Sequence, residues 1–327
     1  MQDFGDMGER ERTIEPRVDD DFDMLGMQFN VTQYADKDKL LSDGQKYGIS
    51  GFAGQVNRVR GTETNSLFLA EAGWRPNLTP QEFYKDYSQR LFGETAAPEM
   101  YKAFMILEKN QEYLGYNNDQ ISTMPCCTSL SEVRLAYTYS QQPNIYDGPT
   151  FEGWKNFIVG SPDVIHRLEG SMAFLNEALQ QMQAALPKTA PRGRYELRYL
   201  MNRTQSYRDF MHSLITIRRA YTLFDRAFQE KSQISHEQFV NELEKSMSEF
   251  TAAKAQAEEA TREYAEIMDS PSDLGVLYHM NARGILGMSM VCETMQNVVN
   301  FQEGKPYLQH VPWDTRLKAD VHTAVAP

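Results

Sequence analysis

Apolar positions follow one rhythm near the start of this chain and another after residue 160. Met24–Val31 and Gly48–Gly54 are short apolar runs, the first carrying the β-favouring Phe29 and Val31, and both are predicted as strands. Asp36–Gly44 reads as a short helix stopped by its glycine, and Asn65–Trp74 as an apolar helix after the turn Arg60-Gly61-Thr62-Glu63. A strand–helix–strand–helix unit buries its strands on both faces and needs a parallel sheet around it. No such pair follows Gly93, so the chain is expected to begin inside a domain.

The next helix is signalled by its ends. Thr79 is the expected N-cap, Pro80 occupies the first position, and Glu82 stands three residues after the cap, the spacing of a capping box. Another helix is expected over Pro98–Gly115. From Tyr116 to Gly160, Asn, Gln, Pro and Tyr dominate, which predicts irregular structure with one short helix near Ser129–Tyr139.

Beyond Gly160 the helical period is strong. Ile165, Leu168, Met172, Leu175, Leu179, Met182 and Leu186 step by threes and fours. So do Tyr207, Phe210, Met211, Leu214, Ile217, Tyr221, Phe224 and Phe228, then Phe239, Leu243, Phe250, Ala257, Ala260, Tyr264 and Ile267. Leu274–Phe301 is apolar all round, a more central helix. The separators Pro187–Gly193, Lys231–Ser235 and Asp269–Ser272 are short, which implies antiparallel neighbours. The organisation expected is a polar acidic lead-in over 1–20, an α/β segment over 21–115, an irregular connection over 116–160, a helical bundle over 161–303 and an extended tail over 304–327.

Composition narrows the partners. With 41% hydrophobic and 11% aromatic residues the chain is foldable. Its formal charge of −12 argues against nucleic acid and against anionic membranes, and leaves a neutral sugar open. No apolar run reaches the ~20 residues of a membrane helix. The three cysteines, Cys126, Cys127 and Cys292, form neither a CxxC nor a disulfide framework. The six histidines have no metal-ligand spacing, and no cofactor motif is present.

If the two strands belong to a (β/α)8 barrel, reactive positions lie at and just after their C-terminal ends. These are Gln28, Asn30 and Gln33 after the first, and Gln55, Asn57, Arg58, Arg60 and Glu63 after the second. Amides and guanidinium groups offer several hydrogen bonds each, which suits a hydroxylated or carboxylated ligand. A glycosidase needs two flanking carboxylates, and Glu63 is the only carboxylate in this set. Tyr113, Tyr116, Tyr139 and Tyr146, in or beside the irregular stretch, are candidate sugar-facing rings.

Residues 25–115 resemble the end of the catalytic barrel in large bacterial glycoside hydrolases, those with β-N-acetylhexosaminidase-like or α-glucuronidase-like barrels that continue into a helical domain. The resemblance rests on Arg60-Gly61-Thr62-Glu63-Thr64-Asn65, on Phe68-Leu69-Ala70-Glu71-Ala72-Gly73-Trp74-Arg75-Pro76, and on Thr79-Pro80-Gln81-Glu82-Phe83 leading to Phe92-Gly93. Where such hexosaminidase-like barrels place Trp-x-Glu on the final strand, this chain has Gln55-Val56-Asn57.

The resemblance implies a mainly α fold: the end of a (β/α)8 barrel, two strand–helix units, followed by an antiparallel long-helix bundle. It implies the C-terminal portion of a glycoside hydrolase acting on carbohydrate, with the catalytic carboxylates on upstream strands and the parent enzyme periplasmic or secreted. Gln28, Asn30, Gln55, Arg58, Arg60 and Glu63 would bind substrate, and the isolated chain would hydrolyse nothing. The competing expectation is a non-enzymatic helical scaffold with a small α/β cap.

Overall fold

The computed structural model describes residues 13–14, 27, 29–37, 44, 46–48, 51–54, 63–75, 77–114, 163–268, 270–306 and 308. Over these the chain is mainly helical. Strands β1 (Thr13–Ile14) and β2 (Gly51–Phe52) precede helices α1 (Glu63–Trp74), α2 (Pro80–Phe92) and α3 (Ala97–Leu114). Then come α4 (Asp163–Ala185), α5 (Arg194–Glu230), α6 (His236–Ile267), α7 (Pro271–His279) and α8 (Leu286–Glu303).

The two expected strands fare differently. Gly51–Phe52 is a strand, but its partner is Thr13–Ile14, paired in parallel with Thr13 opposite Gly51 and Ile14 opposite Phe52. That partner lies in the segment expected as a polar lead-in. In the first run, Met27, Phe29 and Asn30 are buried without regular structure, and Val31 opens a helical turn that becomes a π-helix over Gln33–Lys37. The rest of Met24–Val31 and most of Asp36–Gly44 lie outside the described residues, as does 116–160.

The chain forms two compact units, one of Met1–Pro125 with Glu169–Arg208 and Glu266–Val276, the other of Cys126–Leu168 with Asp209–Ala265 and Leu277–Pro327. In the first, α2 and α3 pair across a cluster of rings. Phe104 is its hub, stacked on Tyr84 at 5.0 Å, edge-on to Tyr87 at 5.6 Å, and 6.2 Å from both Phe92 and Phe29. Phe83 extends the cluster to Phe68 of α1 at 5.4 Å.

The predicted capping box is formed. Glu82 N–H donates to Thr79 Oγ1 at 3.2 Å, and Thr79 N–H donates back to Glu82 Oε2 at 3.1 Å. Those two bonds satisfy amides that an α-helix leaves orphaned at its start. Thr79→Ala is expected to cost about 1 kcal/mol, read as a lower urea midpoint at unchanged slope.

The C-terminal end of α2 is held from a distance. Ala190 N–H donates to Phe92 O at 2.8 Å, and the 3-10 turn Pro191–Gly193 follows directly. A Cβ at Gly193 would lie 2.4 Å from the Leu91 carbonyl oxygen, so glycine alone permits this backbone approach. Beyond the turn, α5 carries two buried groups of the same unit, Tyr199 and Arg203. The Tyr199 hydroxyl donates to Asp273 Oδ1 at 2.5 Å, and Arg203 Nη1 donates to the Tyr199 oxygen at 2.8 Å. Ser270 Oγ donates to the other oxygen of Asp273 at 3.0 Å.

In the second unit α5 and α6 run antiparallel. Phe228 meets Phe239 at 5.2 Å, Tyr221 meets Phe250 at 4.5 Å, and the Thr216 hydroxyl bonds Gln256 at 2.8 Å. Partner numbers fall on α6 as they rise on α5, which fixes the direction. A second capping box, Ser235 with Gln238, starts α6.

The single helix expected over Leu274–Phe301 is divided. α7 and α8 are separated by a π-helical stretch, Met280–Ile285. Gly284 lies within it and Gly287 just after, both weak helix formers, where a wider turn costs least. α8 ends on Gly304, left-handed at φ 67°. Past it the backbone is held by asparagine side chains of α8. Asn297 accepts from Leu308 N–H at 2.6 Å and donates to Leu308 O at 3.3 Å, while Asn300 donates to Pro306 O at 3.0 Å.

Candidate functional site

Of the six residues predicted to bind substrate, Asn30 and Glu63 are described; Gln28, Gln55, Arg58 and Arg60 lie outside the described residues, as does Asn57. Asn30 is buried, and its N–H donates to Asn65 Oδ1 at 3.0 Å. Asn65 sits in the first turn of α1, two residues after Glu63, which opens that helix half-buried. Asn30 and the first turn of α1 are therefore tied together by the Asn65 side-chain amide.

The turn after Asn30 is built from both ends. Asn30 O accepts from Tyr34 N–H at 3.0 Å, which makes Asn30 the cap position and Val31 and Thr32 the first two helical residues. Their amides would be orphaned inside the protein. Both donate to Glu108, Val31 N–H to Oε1 and Thr32 N–H to Oε2, each at 3.0 Å. The Tyr84 hydroxyl adds a third donor, 2.5 Å from Oε1. Gln33, another expected site residue, is buried in this turn.

Glu108 and Tyr84 were not anticipated from sequence. The available signal was the position of Glu108 one helical turn after Phe104, on the stripe that α3 buries. A carboxylate on such a stripe must find donors or remain neutral. Burial pushes its carboxyl above the ordinary value of 4.5, against the Tyr84 phenol and the Thr32 and Val31 amides, which favour the charged form.

A raised native value has a definite sign. The group's contribution to stability is fully present below about 4.5 and is lost as the pH rises through the raised value. Glu82, Glu99 and Glu242 are shifted the opposite way by their partners, so the effect is read as a difference. Between wild type and Glu108→Gln, the gap in urea midpoint is expected to narrow in the wild type's disfavour from acid to neutral pH. A gap independent of pH would refute the assignment.

The ring candidates give way to packing. Tyr113 lies on α3, 5.5 Å from Phe174 of α4, inside a helix contact; Tyr116, Tyr139 and Tyr146 lie outside the described residues. An open groove between α2 and α3, lined by Gln81, Lys85, Gln89, Glu94, Tyr101 and Lys102 among others, contains none of the predicted residues. Among the described residues no group of three or more His, Cys, Asp or Glu stands together to hold a metal, and no helix is long and apolar enough to cross a membrane. Burial pushes the Cys292 thiol up to about 12, so it is not a nucleophile at neutral pH.

What the arrangement offers chemically is a fixed turn bearing amide side chains, beside a helix headed by a carboxylate. Compared with protein-family models, curated proteins and solved structures, the chain matches none.

Proposed function

We propose that this chain is the C-terminal portion of a carbohydrate-active glycoside hydrolase, contributing substrate-binding groups and a helical accessory region, with the catalytic carboxylates on upstream strands. One observation carries the reading: Asn30, at the end of the first predicted strand, is bonded to Asn65 in the α1 turn that Glu63 opens. Asn30 and the first turn of α1 are thus hydrogen-bonded neighbours, which supports the reading. Neither supplies a pair of carboxylates, which fits binding without hydrolysis.

The test is calorimetric titration with cello-, xylo- and chito-oligosaccharides, together with an assay on aryl glycosides. Saturable binding that weakens about tenfold in Glu63→Gln, with no turnover, is the expected result. Turnover that depends on Glu63 would overturn the inactive-fragment part of the reading, and absence of binding to every probe would overturn the carbohydrate part.

A non-enzymatic helical scaffold is the second reading. It is favoured by the α5–α6 pairing, where buried rings meet at Phe228–Phe239 and Tyr221–Phe250. A monodisperse protein with no affinity for sugars would support it.

A further inference from the structure

Glu108 reaches across 77 residues of sequence to donate nothing and accept everything: two backbone amides of one turn and a phenol of a neighbouring helix. Its partners lie on different elements. Val31 and Thr32 belong to the turn after Asn30, and Tyr84 to α2. The carboxylate is 2% exposed as a residue, so water cannot substitute for it. Asn30 engages its own backbone elsewhere, its N–H on Asn65 and its carbonyl with Tyr34 N–H.

We propose that Glu108 is a positioning residue, a remote cap that selects the helical course of the turn after Asn30 and thereby fixes where Asn30 and Gln33 stand. This rests on the carbohydrate reading only for what the turn binds, not for how it is held. Without the carboxylate, Val31 favours an extended course, as its β-branched side chain and the apolar run before it would predict. With both oxygens engaged, the first two amides point at one group and the chain turns. Among the described residues, the titratable group hydrogen-bonded to this carboxylate is Tyr84.

A positioning role separates from a merely structural one by what each variant loses. In Glu108→Gln one oxygen still accepts, while the new NH2 faces an amide that needs an acceptor. The variant has no carboxyl to ionise in the interior, so its urea midpoint relative to wild type should hold or rise as the pH is raised. The hydrogen-exchange protection of the Val31 and Thr32 amides should nonetheless fall roughly tenfold, with Phe104 and Leu107 in α3 unchanged. Tyr84→Phe, which keeps both oxygens free for the turn, should lower the same two protections by less. Equal losses in the turn and in α3 would mean a general structural role, and unchanged protection of Val31 and Thr32 would refute the cap; either result overturns the proposal.

The same proteins are then titrated with diacetylchitobiose and xylobiose. If wild type binds a probe and Glu108→Gln binds it roughly tenfold more weakly, the turn is placed for that ligand. Equal binding by both proteins overturns the positioning role. If wild type binds neither, the carbohydrate reading fails on these probes while the exchange data still decide the cap.

Discussion

Asp273→Ala is expected to cost roughly 3–5 kcal/mol, because it takes a buried carboxylate away from a buried guanidinium and a buried phenol. Arg203 and Asp273 have side chains only 1% exposed, 4.0 Å apart, with the Tyr199 hydroxyl between them. Removing the carboxylate takes a counter-charge from the buried Arg203 and an acceptor from the Tyr199 hydroxyl. The desolvation of the cation is then no longer offset by that carboxylate, which is why the loss exceeds the net worth of the pair. Replacing the group together, with Arg203→Met, Tyr199→Phe and Asp273→Leu, should recover most of that loss. Urea denaturation of the single and triple variants measures both. A single variant losing less than about 1 kcal/mol would mean that water reaches the site.

Phe104→Ala should be of similar size, roughly 3–5 kcal/mol, for an unrelated reason. The ring is 2% exposed and touches aromatic partners on α2 and in the segment before the Asn30 turn. Its removal opens a cavity bounded by rigid rings, which relax poorly, and forfeits edge and stacking contacts beyond the lost area. The same change should dim the near-ultraviolet dichroism of Tyr84 and Tyr87. A cost below about 1.5 kcal/mol would show that the cluster collapses onto the vacancy.

What could be read from the sequence depended on distance along the chain. Thr79, Pro80 and Glu82 announce the start of α2 because every bond in that cap joins residues three apart. The stripe from Tyr207 to Phe228 announces α5 because its period is intrinsic to the helix. Asn30 was identified as a site candidate by its place at a strand end, yet the strand itself gives way to a turn at Val31. The reason is Glu108, whose effect no local window contains. Thr13–Ile14 carries no signal in the sequence because a two-residue strand has no period, and its partner lies beyond the Asn30 turn. The break between α7 and α8 is a third kind of miss: the apolar pattern continues through Met280–Ile285 while the turn widens.

The asparagines of α8 grip the chain after Gly304 by its peptide groups. Leu308 is 44% exposed although its N–H and C=O are both engaged, so the grip is indifferent to which side chain stands there. A substitution at 308 would therefore leave both bonds in place, while a substitution at Asn297 would remove them. A designer wishing to attach a label or a fused domain near this end would find the seat tolerant of the passenger and intolerant of a change in the helix.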